Sequence, residues 1–262
     1  MIGRRAFLLA AIATREATAA QPDVATIVQR SVAANERDWE AAPQYDYFER
    51  DRLEHGTKTY RVHMILGSQY NELTAVNGKP LPAGQQADEK RKLAETIAKR
   101  RAESPDEKSK RVADYRRGRE RDHVMIQQLT KAFDFQFAGR QRLGQREVYV
   151  LKATPRADYA PPNTHAKVLT GMQGTLWIDT GTFQWARVVA EVIHPVSIAG
   201  FLAQVEPGTR FELLYSPVEG DIWFPNRYLM RSRAKILMLF TRRDHADETY
   251  YGFQKSSNSE RF

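Results

Sequence analysis

The sequence predicts an α+β fold in which helices accompany one large antiparallel β-sheet. Three observations support this prediction. Residues 22–42 carry apolar side chains at helical spacing, residues 85–132 are dense in charge, and most of the remaining chain alternates apolar and polar residues with a period of two. The alternating segments follow one another through short turns. We therefore expect a meander that is curved or closed to protect its edges.

The first helix is predicted over residues 22–42, because the apolar residues between Val24 and Val32 recur at helical spacing and Pro43 ends the run. The period then changes to two. Turn residues such as Asn77 and Gly78 bound segments that are rich in aromatic and β-branched side chains. Three strands are predicted here, over residues 44–52, 57–66 and 69–78.

Residues 85–132 are predicted to form a charged helical insert. Positions 88–122 hold 13 basic and 9 acidic residues and few large apolar ones. Ser104 is a suitable N-cap, Pro105 suits the first helical position, and Glu107 completes a capping box. The C-terminal half of the second helix should lie on the protein, and the tip of the hairpin should be solvated. The two helices are predicted at about 85–103 and 105–132.

The rest of the chain is predicted to be mostly strand. Segment 194–209 is apolar without alternation, and we expect it to be a short helix or a loop over one mouth of the sheet. Gly, Pro and Asp turns join the other segments. Seven further strands are predicted, over residues 133–143, 146–155, 171–179, 182–193, 209–217, 222–240 and 247–256.

The N-terminus is typical of an export signal over residues 1–20. Arg4 and Arg5 precede a short apolar run, and small residues precede Gln21. We expect cleavage near Ala20, by the Sec or the twin-arginine route, and a periplasmic or secreted protein. The absence of cysteine excludes disulfides and a lipid-anchored N-terminus. The mature chain, 21–262, is predicted to be a single domain.

The segment GTLWIDTGTFQW, residues 174–185, contains the Asp-Thr-Gly sequence of aspartic proteases at Asp179. Such an enzyme needs two carboxyl groups sharing a proton, and the chain has no second copy of the motif. Alternation on both sides predicts a tight hairpin instead, with Gly181 supplying the positive φ. Asp179 is the only support for a hydrolase.

Other catalytic and cofactor chemistry has no visible basis in the sequence. The six histidines show no metal-ligand spacing. The chain also lacks a Gly-x-Ser-x-Gly motif and a glycine-rich phosphate loop. We therefore expect a non-enzymatic protein without a catalytic residue, a metal or a cofactor.

The basic residues of 85–132 are interleaved with acidic ones, and Tyr115 is nearly the only aromatic residue among them. Since nucleic-acid binding needs a basic surface and stacking platforms, we expect no nucleic acid as a partner. Three interpretations of the insert stay open. It could contact an outer- or inner-membrane surface, bind an acidic protein, or form a solvated helical arm.

Large apolar side chains are more frequent in the strands than a sheet with one solvated face requires. If the sheet curls, these side chains line an interior that is either a packed core or an apolar cavity. Both interpretations stay open. The candidate cavity residues are Trp177, Trp185, Phe201, Leu202, Phe211, Leu213, Trp223, Met238 and Phe240.

Taken together, these features resemble the bacterial lipoprotein-localisation superfamily: LolA/LolB-like and outer-membrane lipoprotein-sorting-like exported proteins. A subgroup with a charged helical insert is the most similar. The order of the matching motifs carries the resemblance: VNGKPL (76–81), AESPDEKSKR (102–111), AFDFQFAG (132–139), YVLKATPR (149–156), GTLWID (174–179), GTRFELL (208–214) and WFPNRYLMRSRAKIL (223–237). It implies a strongly curved antiparallel sheet that forms an incomplete β-barrel, with an apolar cavity for acyl chains. No functional residue of the carriers is matched to a position here.

Together these features predict an exported carrier or binding protein for lipid or a lipidated protein. Its partner would be a lipid or an acylated protein bound in an apolar cavity. The alternative is a periplasmic interaction or sensor module with a filled barrel, whose charged insert at 85–132 contacts a partner.

Overall fold

The structure is a computed structural model that describes residues 23–164, 166–198, 203–236 and 240–257, with the backbone alone at positions 121, 122, 125, 126 and 240. The predicted export signal, 1–20, lies outside these residues. The described helices are α1 (Val24–Ala41), α2 (Ala83–Arg101), α3 (Pro105–Gln127) and α4 (Leu129–Ala132), with short 3-10 turns at Ala42–Gln44 and Ala166–Gly171.

One antiparallel sheet holds all the described strands. They are β1 (Tyr45–Leu53), β2 (Gly56–Ile65), β3 (Ser68–Val76), β4 (Lys79–Pro80), β5 (Phe133–Leu143), β6 (Arg146–Pro155), β7 (Met172–Asp179), β8 (Trp185–Val192), β9 (Val196–Ser197), β10 (Ala203–Val205), β11 (Arg210–Glu219), β12 (Ile222–Ile236) and β13 (Phe240–Lys255).

The strand order is β4-β3-β2-β1-β13-β12-β11-β8-β7-β6-β5, and β10 pairs with both β12 and β9. Among the described residues β4 and β5 do not pair with each other, so the sheet is open and forms an incomplete barrel. The first and last described strands, β1 and β13, are neighbours in the sheet: Tyr45 lies opposite Lys255. The predicted α+β class and incomplete barrel are confirmed.

Helix α1 packs across one face of the sheet. Asp23 caps it by accepting hydrogen bonds from the backbone N–H groups of Ala25 and Thr26. Its apolar stripe buries Ile27 and Val28 in a core cluster formed with β5, β6, β7 and β8. The helix therefore defines an inner face of the sheet, which is the face that holds the candidate site.

The helical insert is docked on the sheet on either side of its hairpin tip, while the tip itself, residues 101–107, is exposed except at Glu103, as predicted. Two arginines bind the turn between β2 and β3. Arg100 donates to the carbonyls of Ile65, Ser68 and Gln69, and Arg111 donates to the Leu66 carbonyl while it pairs with Glu103. The sequence pattern predicted that these charged side chains face solvent. In the structure, the two arginines instead donate hydrogen bonds to backbone carbonyls.

The insert also covers an exposed strand edge. Beyond the two-residue strand β4, the backbone N–H of Leu73 on β3 donates to the carboxylate of Glu89 on α2. The capping box at Ser104 and Glu107 is present as predicted, with the Glu107 carboxylate accepting from the Ser104 N–H at 2.8 Å.

Two segments differ from their predictions. Segment 194–209, predicted as a short helix or a loop, contains the short strands β9 and β10, because Ser197 and Val196 pair with Gln204 and Val205. Strand β13 starts at Phe240, seven residues before the predicted start at 247, since the charged residues 241–246 pair fully with β12.

Candidate functional site

An apolar cavity of about 540 Å³ lies on the inner face of β7, β8 and β11. The strand register builds it, because Leu176, Val188 and Leu213 lie opposite one another on neighbouring strands and their side chains share a face. The lining residues are Leu129, Phe133, Ala153, Leu169, Met172, Gln173, Gly174, Leu176, Trp185, Val188, Val189, Ala190, Phe211, Leu213, Tyr228, Glu248 and Tyr250.

One end of this cavity is acidic. The hydroxyl of Tyr250 donates to the carboxylate of Glu248, and both residues line the cavity. Behind them lies Glu49, whose pKa is raised to about 7 by burial and by the neighbouring Asp51 and Glu248 carboxylates. A bound molecule would therefore meet apolar side chains along most of the cavity and the Glu248 carboxyl group at this end.

A second cavity, which we call the aromatic cavity, has a volume of about 440 Å³ and lies between the sheet, α1 and α3. Tyr250 lines both cavities. Its lining residues are Asn35, Asp38, Trp39, Ala42, Tyr47, Met64, Gln69, Tyr115, Arg119, His123, Tyr215, Trp223, Phe224, Pro225, Tyr250 and Phe253.

A buried carboxyl group joins α1 to the sheet beside the aromatic cavity. Asp38 Oδ1 accepts hydrogen bonds from Gln184 Nε2 and from the Trp223 backbone N–H, each at 3.1 Å. Burial raises the pKa of Asp38 to about 7, against the opposing effect of these two hydrogen bonds. Asp38 Oδ2 and Gln184 Oε1 have no hydrogen-bond partner among the described residues.

The predicted cavity residues fall into five groups. Trp185, Phe211 and Leu213 line the apolar cavity, and Trp223 lines the aromatic cavity. Trp177 follows Leu176 on β7, so its ring lies on the outer face, where the Arg187 guanidinium stacks 4.9 Å from the ring centroid. Only the backbone of Phe240 is described. Outside the described residues lie Phe201, Leu202 and Met238.

The small and medium residues that shape the cavity were not predicted from the sequence. Leu176, Val188 and Ala190 line it as much as the aromatic residues do. The period of two was the signal that could have found them, because residues 174 and 176 share the face of their partners 190 and 188. Selecting residues by the size of their side chains, rather than by the face they occupy, led to the inclusion of Trp177 among the candidate cavity residues.

Asp179 shapes a loop. Its Oδ1 accepts hydrogen bonds from the backbone N–H groups of Gly181 and Thr182 at 3.0 and 2.9 Å, and Arg146 pairs with Oδ2 at 3.2 Å. Burial opposes ionisation, but the hydrogen bonds from Thr182, Arg146 and Gly181 lower the pKa of Asp179 below its usual value.

The loop differs from the predicted tight hairpin. Phe183, with φ of 63°, supplies the positive φ that was predicted for Gly181. The Arg30 guanidinium stacks 3.6 Å from the centroid of the Phe183 ring and holds it. Strand β8 consequently begins at Trp185, three residues later than predicted.

Within the described residues, no set of three or more histidines and carboxylates is placed to hold a metal ion. None of the described helices combines the length and apolar character needed to span a bilayer.

No protein-family model matches the chain, and no curated protein matches it. Solved structures do. The chain is similar to a LolA superfamily protein from Nitrosomonas europaea, at 12% identity over 92% of this chain and 96% of that chain, with a TM-score of 0.31. It is also similar to a DUF1329 family protein from Desulfovibrio piger, at 9% identity over 92% and 96% of the two chains, with a TM-score of 0.35.

A third similar structure is a putative outer membrane lipoprotein-sorting protein domain from Vibrio parahaemolyticus, at 10% identity over 89% and 95% of the two chains, with a TM-score of 0.29. At TM-scores below 0.5 these likenesses carry no argument about what this chain binds. Two of the three structures carry names from the superfamily that the sequence motifs resemble, and the incomplete barrel itself is established by the strand order.

Proposed function

We propose that this chain is an exported, non-enzymatic carrier or binding protein for lipid or a lipidated protein, with acyl chains held in the apolar cavity. The observation that carries the proposal is the cavity itself. Its volume of about 540 Å³ is within the range of small-molecule sites, and its walls are hydrocarbon except for Gln173, Glu248 and two tyrosines.

Burial of an acyl chain there would be strongly favourable. Each methylene removed from water contributes about 0.8 kcal/mol, so ten methylenes contribute about 8 kcal/mol before the cost of ordering the chain. The acidic end at Glu248 would disfavour a ligand that places its own carboxylate there, and a neutral or acylated group is the better fit.

The first test is to identify what the purified protein carries. Native mass spectrometry and lipid extraction should find a co-purified lipid, and a neutral fluorescent acyl ester should bind saturably. The absence of both results would contradict the proposal. Mass spectrometry of the exported protein also tests cleavage before Gln21.

A cavity-filling variant locates the binding site. Leu213→Trp and Ala190→Phe should each lower affinity for the acyl ester at least tenfold, because both side chains point into the cavity. Leu214→Trp is the matched control, since Leu214 is on the same strand with its side chain on the other face. Circular dichroism confirms that each variant folds. Unchanged affinity in folded Leu213→Trp and Ala190→Phe would place the ligand elsewhere.

A second candidate function is an interaction module that uses the helical insert. It is favoured by the exposure of α2, which has no buried residue and carries exposed Lys90, Lys99 and Arg101. Changing these three residues to Glu should abolish sedimentation with anionic vesicles, or binding to an acidic partner, if the insert makes the contact. Binding of the acyl ester should persist in this variant if the chain is a carrier.

A further inference from the structure

Arg119 is a half-buried cation with no acidic partner. It lies on α3 and lines the aromatic cavity. Its guanidinium donates to the Trp39 carbonyl and stacks on the Trp39 ring, 4.4 Å from the centroid. No carboxylate of the described residues lies within ion-pair distance. By contrast, Arg111 on the same helix pairs with Glu103 at 2.6 Å.

The charges around Arg119 do not compensate it. Asp38 is the one carboxyl group that lines the aromatic cavity, and its Oδ1 is already bound by Gln184 and Trp223. Burial lowers the pKa of Arg119, and the groups that act on its charge are the phenols of Tyr115 and Tyr47 and the like charge of Arg116, with no carboxylate among them. Taking a guanidinium out of water without a counter-charge is costly, so an added anion would be bound favourably here.

The cavity around Arg119 can accommodate a ligand. A groove of about 910 Å³ meets the aromatic cavity at Trp39, Tyr115 and Arg119, so the guanidinium lies where the two spaces join. The exposed Glu40 and Glu120 also line this groove, but neither is within ion-pair distance of Arg119. His123, 2% exposed, also lines the aromatic cavity; its Nε2 contacts the Glu36 carboxylate at 2.7 Å, and its Nδ1 has no hydrogen-bond partner among the described residues. The remaining walls are rings and apolar side chains such as Phe224 and Phe253.

We propose that Arg119 binds the oxyanion, a carboxylate or a phosphate, of an amphiphilic ligand whose apolar body lies against the aromatic walls of this cavity. The guanidinium offers paired N–H donors that match two oxygens of either anion. The aromatic rings supply flat apolar surface for the body of the ligand. This site is distinct from the apolar cavity, whose polar end is acidic and which lies on β7, β8 and β11.

The test compares two probes that differ only in charge. On the purified protein, 1-pyrenebutyrate should bind at least tenfold more tightly than 1-pyrenebutanol by fluorescence titration. Arg119→Gln should reduce this preference to less than threefold, and Arg119→Lys should keep part of it. Arg117→Gln is the control, because Arg117 lies on the same helix, exposed and paired with Asp114. Equal binding of the two probes by the unaltered protein, or an unchanged preference in folded Arg119→Gln, would overturn the proposal.

Two further measurements separate this site from the acyl-chain proposal. Leu213→Trp should leave pyrenebutyrate binding unchanged, whereas loss of binding in that folded variant would put the probe in the apolar cavity and refute the assignment. Competition then identifies the anion. Dodecanoate or dodecyl phosphate should displace pyrenebutyrate at concentrations at which dodecanol does not, and equal displacement by all three would contradict an anion site.

Discussion

Asp38 and Asp179 show how one residue type serves opposite electrostatic roles in this fold. Both carboxyl groups are 5% exposed. Asp179 receives three backbone or side-chain donors on one oxygen and Arg146 on the other, so its charge is compensated. Asp38 receives two neutral donors on one oxygen and none on the other. The negative charge of Asp38 is therefore poorly compensated, and its carboxyl group stays protonated to a higher pH than that of Asp179.

Asp38→Asn should stabilise the protein at neutral and higher pH. The folded-state pKa of about 7 exceeds the unfolded value of about 3.9, so between these values the folded state binds the extra proton. The free energy of unfolding consequently falls by about 1.4 kcal/mol per pH unit across this window. The Asn amide does not titrate, so it removes that decline. We expect Asp38→Asn to exceed the unaltered protein by about 1–3 kcal/mol in urea unfolding at pH 8. Parallel pH profiles would contradict this.

Asp179→Asn should have the opposite effect. Its folded-state pKa is lowered, so its contribution to stability is present above the unfolded pKa and is lost as pH falls through the folded pKa. Removing the charge should cost about 1–2 kcal/mol at pH 7, because charge-assisted hydrogen bonds to the loop are weakened. The cost should shrink as the pH of the unfolding experiment is lowered toward 3. A cost that is independent of pH would show that the loop geometry alone matters.

Gly171→Ala tests how closely the end of the second 3-10 turn packs. An added Cβ would lie 2.4 Å from Val196 Cγ2 and 2.6 Å from the His194 carbonyl oxygen. The carbonyl belongs to the backbone and cannot move away cheaply, so we expect a loss of about 1–3 kcal/mol in thermal or urea unfolding. Gly84→Ala is the control, because nothing lies within 4 Å of its Cβ position in α2 and the change should be neutral or stabilising.

At the scale of elements, α2 and the hairpin tip are held on the sheet by hydrogen bonds rather than by an apolar face. Helix α2 buries no residue, yet Arg100, Arg111 and Glu89 bind backbone groups of β2, β3 and their turn. The turn contains Leu66 at φ of 46°, and its carbonyls point away from the sheet toward the arginines. The attachment of the insert therefore depends on a few side chains, and each contact can be tested by substituting one residue.

Arg111→Gln should loosen the insert without unfolding the sheet. The substitution removes the ion pair with Glu103 and most of the donors to the Leu66 carbonyl. Hydrogen exchange should become faster in α2 and in the β2–β3 turn, while β6 and β7 keep their protection. Arg117→Gln, on the exposed face of α3, should leave exchange unchanged. Equal protection of α2 in both variants would show that the arginine contacts do not hold the insert.

Element boundaries could be predicted where local patterning decides them. The predicted strands 133–143 and 146–155 coincide with β5 and β6, whose side chains alternate and whose turn contains Gly144. Prediction failed in two situations. In one, a side chain takes the backbone N–H groups that strand pairing would use; in the other, a strand is lengthened by pairing with a neighbouring strand. Asp179 draws residues 181–182 into a loop, and β12 extends β13 by seven residues through charged positions that local hydropathy assigns to a turn.

The candidate site could be predicted in part. Apolar composition indicated an interior surface, and alternation could have assigned its faces, as Leu176 and Trp177 show. The aromatic cavity could not be predicted, because Arg119, Trp39 and Tyr250 come from α3, α1 and β13 and meet only through the tertiary packing of α1 and α3 over the sheet. The missing counter-charge of Arg119 is likewise a property of that packing, since its sequence neighbours include acids.

At the scale of the molecule, the core is unevenly distributed along the sheet. The two described clusters of buried apolar side chains draw on α1 and on β5 to β8 and β12, and none of their fully buried members comes from β1 to β4. The first four strands bury Tyr45, Val62, Met64 and Ile65 outside these two clusters, and they join the rest of the sheet through the ladder between β1 and β13. Stability should therefore be uneven across one continuous sheet.

Hydrogen exchange of the unaltered protein should resolve two cooperative units. Amides of β6 and β7, next to the fully buried Leu151 and Ile178, should exchange only by global unfolding. Amides of β2 and β3 should exchange through a lower-energy opening that has a smaller dependence on denaturant, because the opening exposes less surface. A single opening energy for all strands would show that the sheet unfolds as one unit.

The pairing of Tyr45 with Lys255 also fixes the order in which the chain can fold. A growing polypeptide emerges N-terminus first at about 5–20 residues per second, so roughly 10–40 s separate the synthesis of β1 from that of its partner β13. During that time β1 can pair with β2 but keeps its other edge exposed, and contacts of such long sequence separation form slowly. Folding of this sheet is therefore completed only after β13 has been synthesised, and until then the nascent chain carries an unpaired strand edge at β1 that can pair with another chain.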